Sequence, residues 1–191
     1  MTPDMQYRRS MQRVCIYCGS SDQVTDPYRQ AAREMGTELG KRGLSLVYGG
    51  GRTGLMGVVA DSALAAGSQA YGVLPHHLHS RERAHPALTR LELVDDMAAR
   101  KARMIELADA FVALPGGYGT MEELFEVLSH RVLDLHRKPI ALLDTNGYYT
   151  HLLAFLEQGY STRLVSPAHH EILIVERHAN TLLERLLATP R

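Results

Sequence analysis

Short apolar runs alternate with longer segments of helical period along almost the whole chain, and this alternation restricts the fold more than any other feature of the sequence. The runs of strand length are 13–18 (RVCIYC), 44–49 (LSLVYG), 69–74 (QAYGVL), 91–94 (LELV), 110–114 (AFVAL) and 139–144 (PIALLD). Helical segments are predicted at roughly 27–42, 54–66, 96–109, 120–136, 148–158 and 179–188. Several strand runs are apolar almost throughout, as strands covered on both faces should be. Pro27, after Asp26, suits the first turn of a helix. Gly43 and Gly67 follow helical segments and read as their C-terminal stops. The pattern implies an α/β fold, a doubly wound parallel sheet with helices on both faces. A chain of 191 residues suits a single domain with a full core. That domain is expected over 13–191, after a short flexible leader at 1–12. The least regular stretch, 75–88 (PHHLHSRERAHPAL), is expected as a surface loop.

Composition removes several functional classes. Lys and Arg together number 21, and so do Asp and Glu, so no basic field favours nucleic acid. No stretch approaches ~18 uninterrupted apolar residues, so no membrane span is expected. The N-terminus lacks the apolar core of a signal peptide, and a cytoplasmic location is expected. Cys15 and Cys18 are spaced C-x-x-C, but they fall on a predicted strand. Residues three apart on a strand face opposite sides, and both are expected as ordinary core cysteines.

Ligands of open parallel sheets bind beyond the C-terminal ends of the strands. Three turns of glycine or small residues fall there: CGSSD at 18–22, GGGRTG at 49–54 and PGGYGT at 115–120. One ligand touched by all three is the economical reading. Gly49, Gly51 and Gly54 satisfy G-x-G-x-x-G between a strand and a helix. A dinucleotide site would need an acidic residue ~20 positions on, yet the next strand runs into GVLPHHL. No Gly-Lys-Ser/Thr follows, so the turn is not a P-loop. It either brings backbone close to a phosphate or ribose, or is a tight turn needing positive φ.

The third turn sets a puzzle. Glycine turns at helix starts cradle phosphate through backbone N–H groups, yet Glu122 and Glu123 follow at once. Thr120 and Glu123 fit a capping box, and Glu122 reads as a solvated acid at the helix start. Within 95–109 (DDMAARKARMIELAD), Met97, Met104 and Ala108 form an apolar stripe. Arg100 points the same way, so it either snorkels to water or meets Glu123 or an anionic ligand. Lys101 is a second cation or an exposed helix residue. His76, His77, His79 and His85 cluster in the irregular segment without the spacing of a zinc site, and no metal is expected.

PGGYGTMEE, Pro115–Glu123, matches the P-G-G-x-G-T-x-x-E signature of the Lonely-guy family of cytokinin-activating phosphoribohydrolases. YGGGRTGLMG (48–57) and VCIYCGSS (14–21) resemble that family's other blocks, and the similarity runs through most of the chain. The resemblance implies a Rossmann-like homodimer. It would cleave the N-glycosidic bond of adenosine 5′-monophosphate, or of its N6-prenylated forms, to free base and ribose 5-phosphate. It makes Arg100 and Glu123 the catalytic pair. Gly19, Ser20, Gly49, Gly50, Gly51, Gly54, Met97, Lys101, Gly116, Gly117, Tyr118, Gly119 and Thr120 are then expected to hold the purine nucleotide and its phosphate, with no cofactor and no metal. The family histidine after Met97 is Ala98 here. In this reading the glycine turn holds phosphate while Glu123 faces the sugar, where a carboxylate stabilises the charge that develops as the bond breaks. The alternative is a carrier: related glycine-rich folds bind a molybdenum cofactor without cleaving it. A carrier would not require the Arg100–Glu123 pair. Nicotinamide redox chemistry ranks third.

Overall fold

The first strand, β1 (Arg13–Tyr17), shows how the core arises. Val14 and Ile16 enter one apolar layer, and Cys15 and Tyr17 enter another. A strand buried on both faces has no polar side to show, which is why it reads as an unbroken apolar run. A computed structural model describes residues 11–78 and 83–190. After β1 come α1 (Asp26–Lys41), β2 (Ser45–Tyr48), α2 (Gly54–Ala65), β3 (Ala70–Pro75), β4 (Arg90–Val94) and α3 (Met97–Leu107). Then follow β5 (Ala110–Ala113), α4 (Tyr118–Val132), β6 (Ile140–Leu143), α5 (Thr150–Ser161), β7 (Leu173–Glu176) and α6 (Ala179–Ala188).

Every strand pairing is parallel, in the order β4-β3-β2-β1-β5-β6-β7. Ala32, Met35 and Leu39 of α1, Leu55 and Val59 of α2 and Leu182 and Leu186 of α6 cover one face. Met104 of α3, Leu124 and Val127 of α4 and Tyr149 before α5 cover the other. The expected doubly wound α/β sheet is therefore what forms. Chain order reverses between β1 and β5, so the turns after these two strands flank the switch point where such sheets bind ligands. Gly19 N–H donates to the Pro115 carbonyl at 3.1 Å and joins those two turns directly.

Several boundaries differ from the sequence expectation. A seventh strand, β7, completes the sheet at its edge, where only Ile174 is buried. Helix α4 begins at Tyr118 rather than at 120. Met11 already packs on the core, and Gln12 N–H donates to Asp109 Oδ2 at 2.8 Å. The two cysteines lie in opposite layers, as the strand period requires. Burial pushes both thiols well above their ordinary range, the Glu123 carboxylate adds to the shift and the Arg100 guanidinium opposes it.

Candidate active site

A cavity of about 380 Å³ opens over the C-terminal end of β1. Gly19 and Ser20, Gly49, Met97 and Arg100, and Gly117, Tyr118, Gly119, Thr120 and Glu123 line it. All three turns therefore reach one space, though the second contributes only Gly49. Met56, Leu78 and Met104 add apolar surface.

The three helix starts around this space are finished differently. In α3, Asp96 accepts from Ala99 N–H at 2.8 Å. In α2, the Asp22 carboxylate takes Gly54 N–H at 2.8 Å, and the Gly19 carbonyl takes Leu55 N–H at 2.9 Å. In α4, the N-cap is Gly117, no side chain caps it, and its first turn holds no acid. Only the α4 start thus keeps the positive end of its dipole for an incoming group. Its glycines sort by purpose. A Cβ on Gly116 would strike Thr120 Oγ1 at 2.1 Å, so packing forbids one. Gly117 and Gly119 have open space where a Cβ would stand. Neither packing nor positive φ requires glycine at these two places, and the helix start is left sterically open.

Arg100 does not snorkel. It is 5% exposed, with Nε donating to the Val73 carbonyl at 3.1 Å and Nη2 to the Gly49 carbonyl at 2.9 Å. Nη1 lies 3.7 Å from Met97 Sδ. The ends of β2 and β3 thus hold the guanidinium in one orientation. Gly49 is the reason it fits: a Cβ there would lie 1.9 Å from Arg100 Nη2.

Glu123 is the sixth residue of α4, so the capping-box expectation fails: Thr120 lies inside the helix, 4% exposed, and the cap is Gly117, three residues earlier than the box requires. At ~1.5 Å rise per residue, Glu123 stands about 9 Å along the axis from Gly117. That distance separates a carboxylate from an anion at the helix start. Lys101 does not line the cavity; it pairs with Glu122, a second carboxylate of the lining, and, at 3.2 Å, with Glu126. This pairing raises its pKa and ties α3 to α4 beside Arg100 and Glu123.

Gly50, Gly51 and Gly54, expected at the ligand, lie outside the lining. Gly50 (φ +77°) packs against Gly72 and accepts His85 N–H through its carbonyl at 3.0 Å. Gly51 bridges to Ala84. A Cβ on Gly54 would strike the Ser20–Ser21 peptide at 2.5 Å. These glycines let the first and second turns and the 83–88 segment pack together. Of the four clustered histidines, His85 is buried on Asp61 at 3.0 Å, and His76 and His77 are exposed. His79, Arg81 and Glu82 lie outside the described residues. Among the described residues, no three His, Cys, Asp or Glu side chains stand together as a metal site.

Sequence reasoning missed Asp22, Tyr148 and Tyr149. Tyr149 Oη donates to the Leu114 carbonyl and Tyr148 Oη to the Gly116 carbonyl, both at 2.7 Å. The GYY run after β6 carried no local sign of this.

The model of a family described as "Possible lysine decarboxylase" matches residues 56–186. A cytokinin riboside 5′-monophosphate phosphoribohydrolase of Arabidopsis thaliana is 42% identical over 91% of this chain and 80% of its own length. A second from the same plant is 41% identical over 95% of this chain and 85% of its own. The chain belongs to the Lonely-guy family. Among solved structures, the molybdenum cofactor carrier protein of Chlamydomonas reinhardtii superposes with a TM-score of 0.71 at 20% identity, over 94% of this chain and 99% of its own. That likeness shows the fold. Where this chain departs from the family pattern, Ala98 is exposed on the first turn of α3, beside Met97. The decarboxylase description finds no amine to serve it, since no described lysine lines the cavity.

Proposed function

We propose that the protein hydrolyses the N-glycosidic bond of purine nucleoside 5′-monophosphates, plain or N6-prenylated, to free base and ribose 5-phosphate. The observation that carries this reading is one cavity holding an uncapped glycine helix start, a carboxylate six residues further on and a fixed guanidinium. Gly117, Tyr118, Gly119 and Thr120 offer backbone N–H groups to the 5′-phosphate, with Gly19 and Ser20 closing the other side. Glu123 faces the anomeric carbon, stabilises its developing positive charge and activates water. Arg100 orients Glu123 and the nucleotide as the base departs. Met97 and its apolar neighbours take the base. The family's curated members carry this activity in their names.

The test compares adenosine 5′-monophosphate with adenosine, following free base by chromatography. The monophosphate is expected to have a kcat/KM at least about a hundredfold higher, as charge-assisted hydrogen bonds to phosphate warrant. Equal turnover of the two would remove the phosphate assignment.

The working form is a homodimer in the cytosol. Met104, Ala108 and Leu124 are buried against the sheet and cannot serve its interface. The supporting observation for a dimer is an apolar groove of about 340 Å³ lined by Phe125, Leu128, Val132 and Leu164 on the outer side of α4. Leu164 is 88% exposed, and Phe125 lies two positions from Glu123 on the opposite side of α4, so a second copy seated here would pack against the back of the helix that carries the site. Light scattering at micromolar concentration is expected to give twice the chain mass, and Phe125→Glu to give a monomer. A wild-type monomer with full activity would sink the dimer and leave the chemistry standing. No helix among the described residues is long and apolar enough to cross a membrane.

A further inference from the structure

Three carbonyls in succession, those of Leu114, Pro115 and Gly116, lie between β5 and the α4 start. Each is taken by a donor from elsewhere: Tyr149 Oη at 2.7 Å, Gly19 N–H at 3.1 Å and Tyr148 Oη at 2.7 Å. A carbonyl oxygen facing a phosphate repels it, while an N–H attracts it, so the direction of these dipoles decides what the loop can bind. The two tyrosines are themselves held. Tyr149 is buried, and its N–H donates to Asp144 Oδ1 at 2.8 Å. Tyr148 packs edge-on against Tyr149 with ring centres 4.8 Å apart and against Tyr28 at 5.6 Å. Neither ring belongs to the cavity lining.

We infer that Tyr148 and Tyr149 are positioning residues for the phosphate end of the site, holding the Leu114 and Gly116 carbonyls so that the loop offers the anion N–H groups alone. The inference rests on the phosphate assignment made above. It gives the loop after β6 a task in substrate binding: the carbonyls stay fixed whether or not the site is occupied, and the cradle is built before the nucleotide arrives.

Tyr148→Phe and Tyr149→Phe remove one hydroxyl each and keep the rings. Steady-state kinetics on adenosine 5′-monophosphate, with ribose 5-phosphate as a competing product, read the effect. Each variant is expected to raise KM about fivefold to tenfold, within the range of one lost hydrogen bond. Inhibition by ribose 5-phosphate is expected to weaken by the same factor, with kcat within about threefold of wild type. Slow turnover of adenosine, which has no phosphate, is expected not to change. Wild-type KM and wild-type inhibition in both variants would overturn the inference, as would equal losses on the nucleotide and the nucleoside. If the buried Tyr149→Phe variant fails to fold, the half-exposed Tyr148→Phe decides alone. Should the wild-type protein itself not distinguish nucleotide from nucleoside, the phosphate assignment falls first and takes this inference with it. If only the variants behave as wild type, the inference falls alone.

Discussion

Glu123→Gln is expected to lower kcat by about a thousandfold while leaving the fold intact, the scale of a lost acid–base and electrostatic contribution. Glutamine keeps the shape and hydrogen-bonding capacity of the side chain and removes only the charge and the proton-accepting oxygen. If Glu123 served the start of α4, glutamine would substitute for it with little loss, because it also completes a capping box. The geometry denies that role: the cap is Gly117, six positions away, and Thr120 is buried within the helix. KM for the nucleotide is expected to change little, since phosphate held at the helix start supplies most of the affinity. Turnover measured beside a thermal melt checks both parts. A variant with near-native turnover would return Glu123 to a structural role.

Gly49→Ala is likewise expected to lower activity while keeping the fold, by displacing the Arg100 guanidinium without replacing Arg100 itself. The new methyl would stand 1.9 Å from Arg100 Nη2 and 2.9 Å from its Cζ, so the guanidinium must leave its place. Those atoms are the far end of a flexible side chain, and Gly49 does not need positive φ, so the backbone can accept alanine. The expected result is a melting temperature within a few degrees of wild type and a kcat/KM lower by about a hundredfold, as misplacement of a catalytic group warrants. Gly50→Ala, one residue on, is the contrast. Gly50 sits at φ +77°, where an L side chain is strained by ~1–2 kcal/mol. That variant should lose stability and keep the activity of its folded fraction. Equal activity in the Gly49→Ala and wild-type enzymes would show that Arg100 need not be held where β2 and β3 place it.

The sheet was legible because strands covered on both faces have no polar register to confuse the pattern: 13–17, 45–48 and 110–113 are almost wholly buried. Strand β7 escaped notice for the converse reason. It is an edge strand of four residues with one buried, set between HHE and RH. That Arg100 and Glu123 line one cavity could be anticipated because one broke an apolar stripe and the other broke the logic of a phosphate turn. The Thr120–Glu123 capping box misled because local spacing is also compatible with a helix that starts earlier, and only the carbonyls around Gly117 decide where α4 begins. Gly50, Gly51 and Gly54 looked like ligand glycines but serve contacts with Gly72, Ala84 and the Ser20–Ser21 peptide. Those contacts join segments more than 20 residues apart and leave no mark in sequence spacing. Asp22, Tyr148 and Tyr149 were invisible for the same reason, since their partners are backbone groups brought near by the crossovers.

If the site breaks the bond between sugar and base, its products reveal it. Purified protein incubated with adenosine 5′-monophosphate, and separately with its N6-prenylated form, is resolved by chromatography for base, nucleoside, nucleotide, ribose 5-phosphate and inorganic phosphate. The account predicts free base and ribose 5-phosphate in equal amounts from at least one of the two nucleotides, and no nucleoside. Nucleotide bound but recovered intact, or nucleoside released with inorganic phosphate, would contradict it.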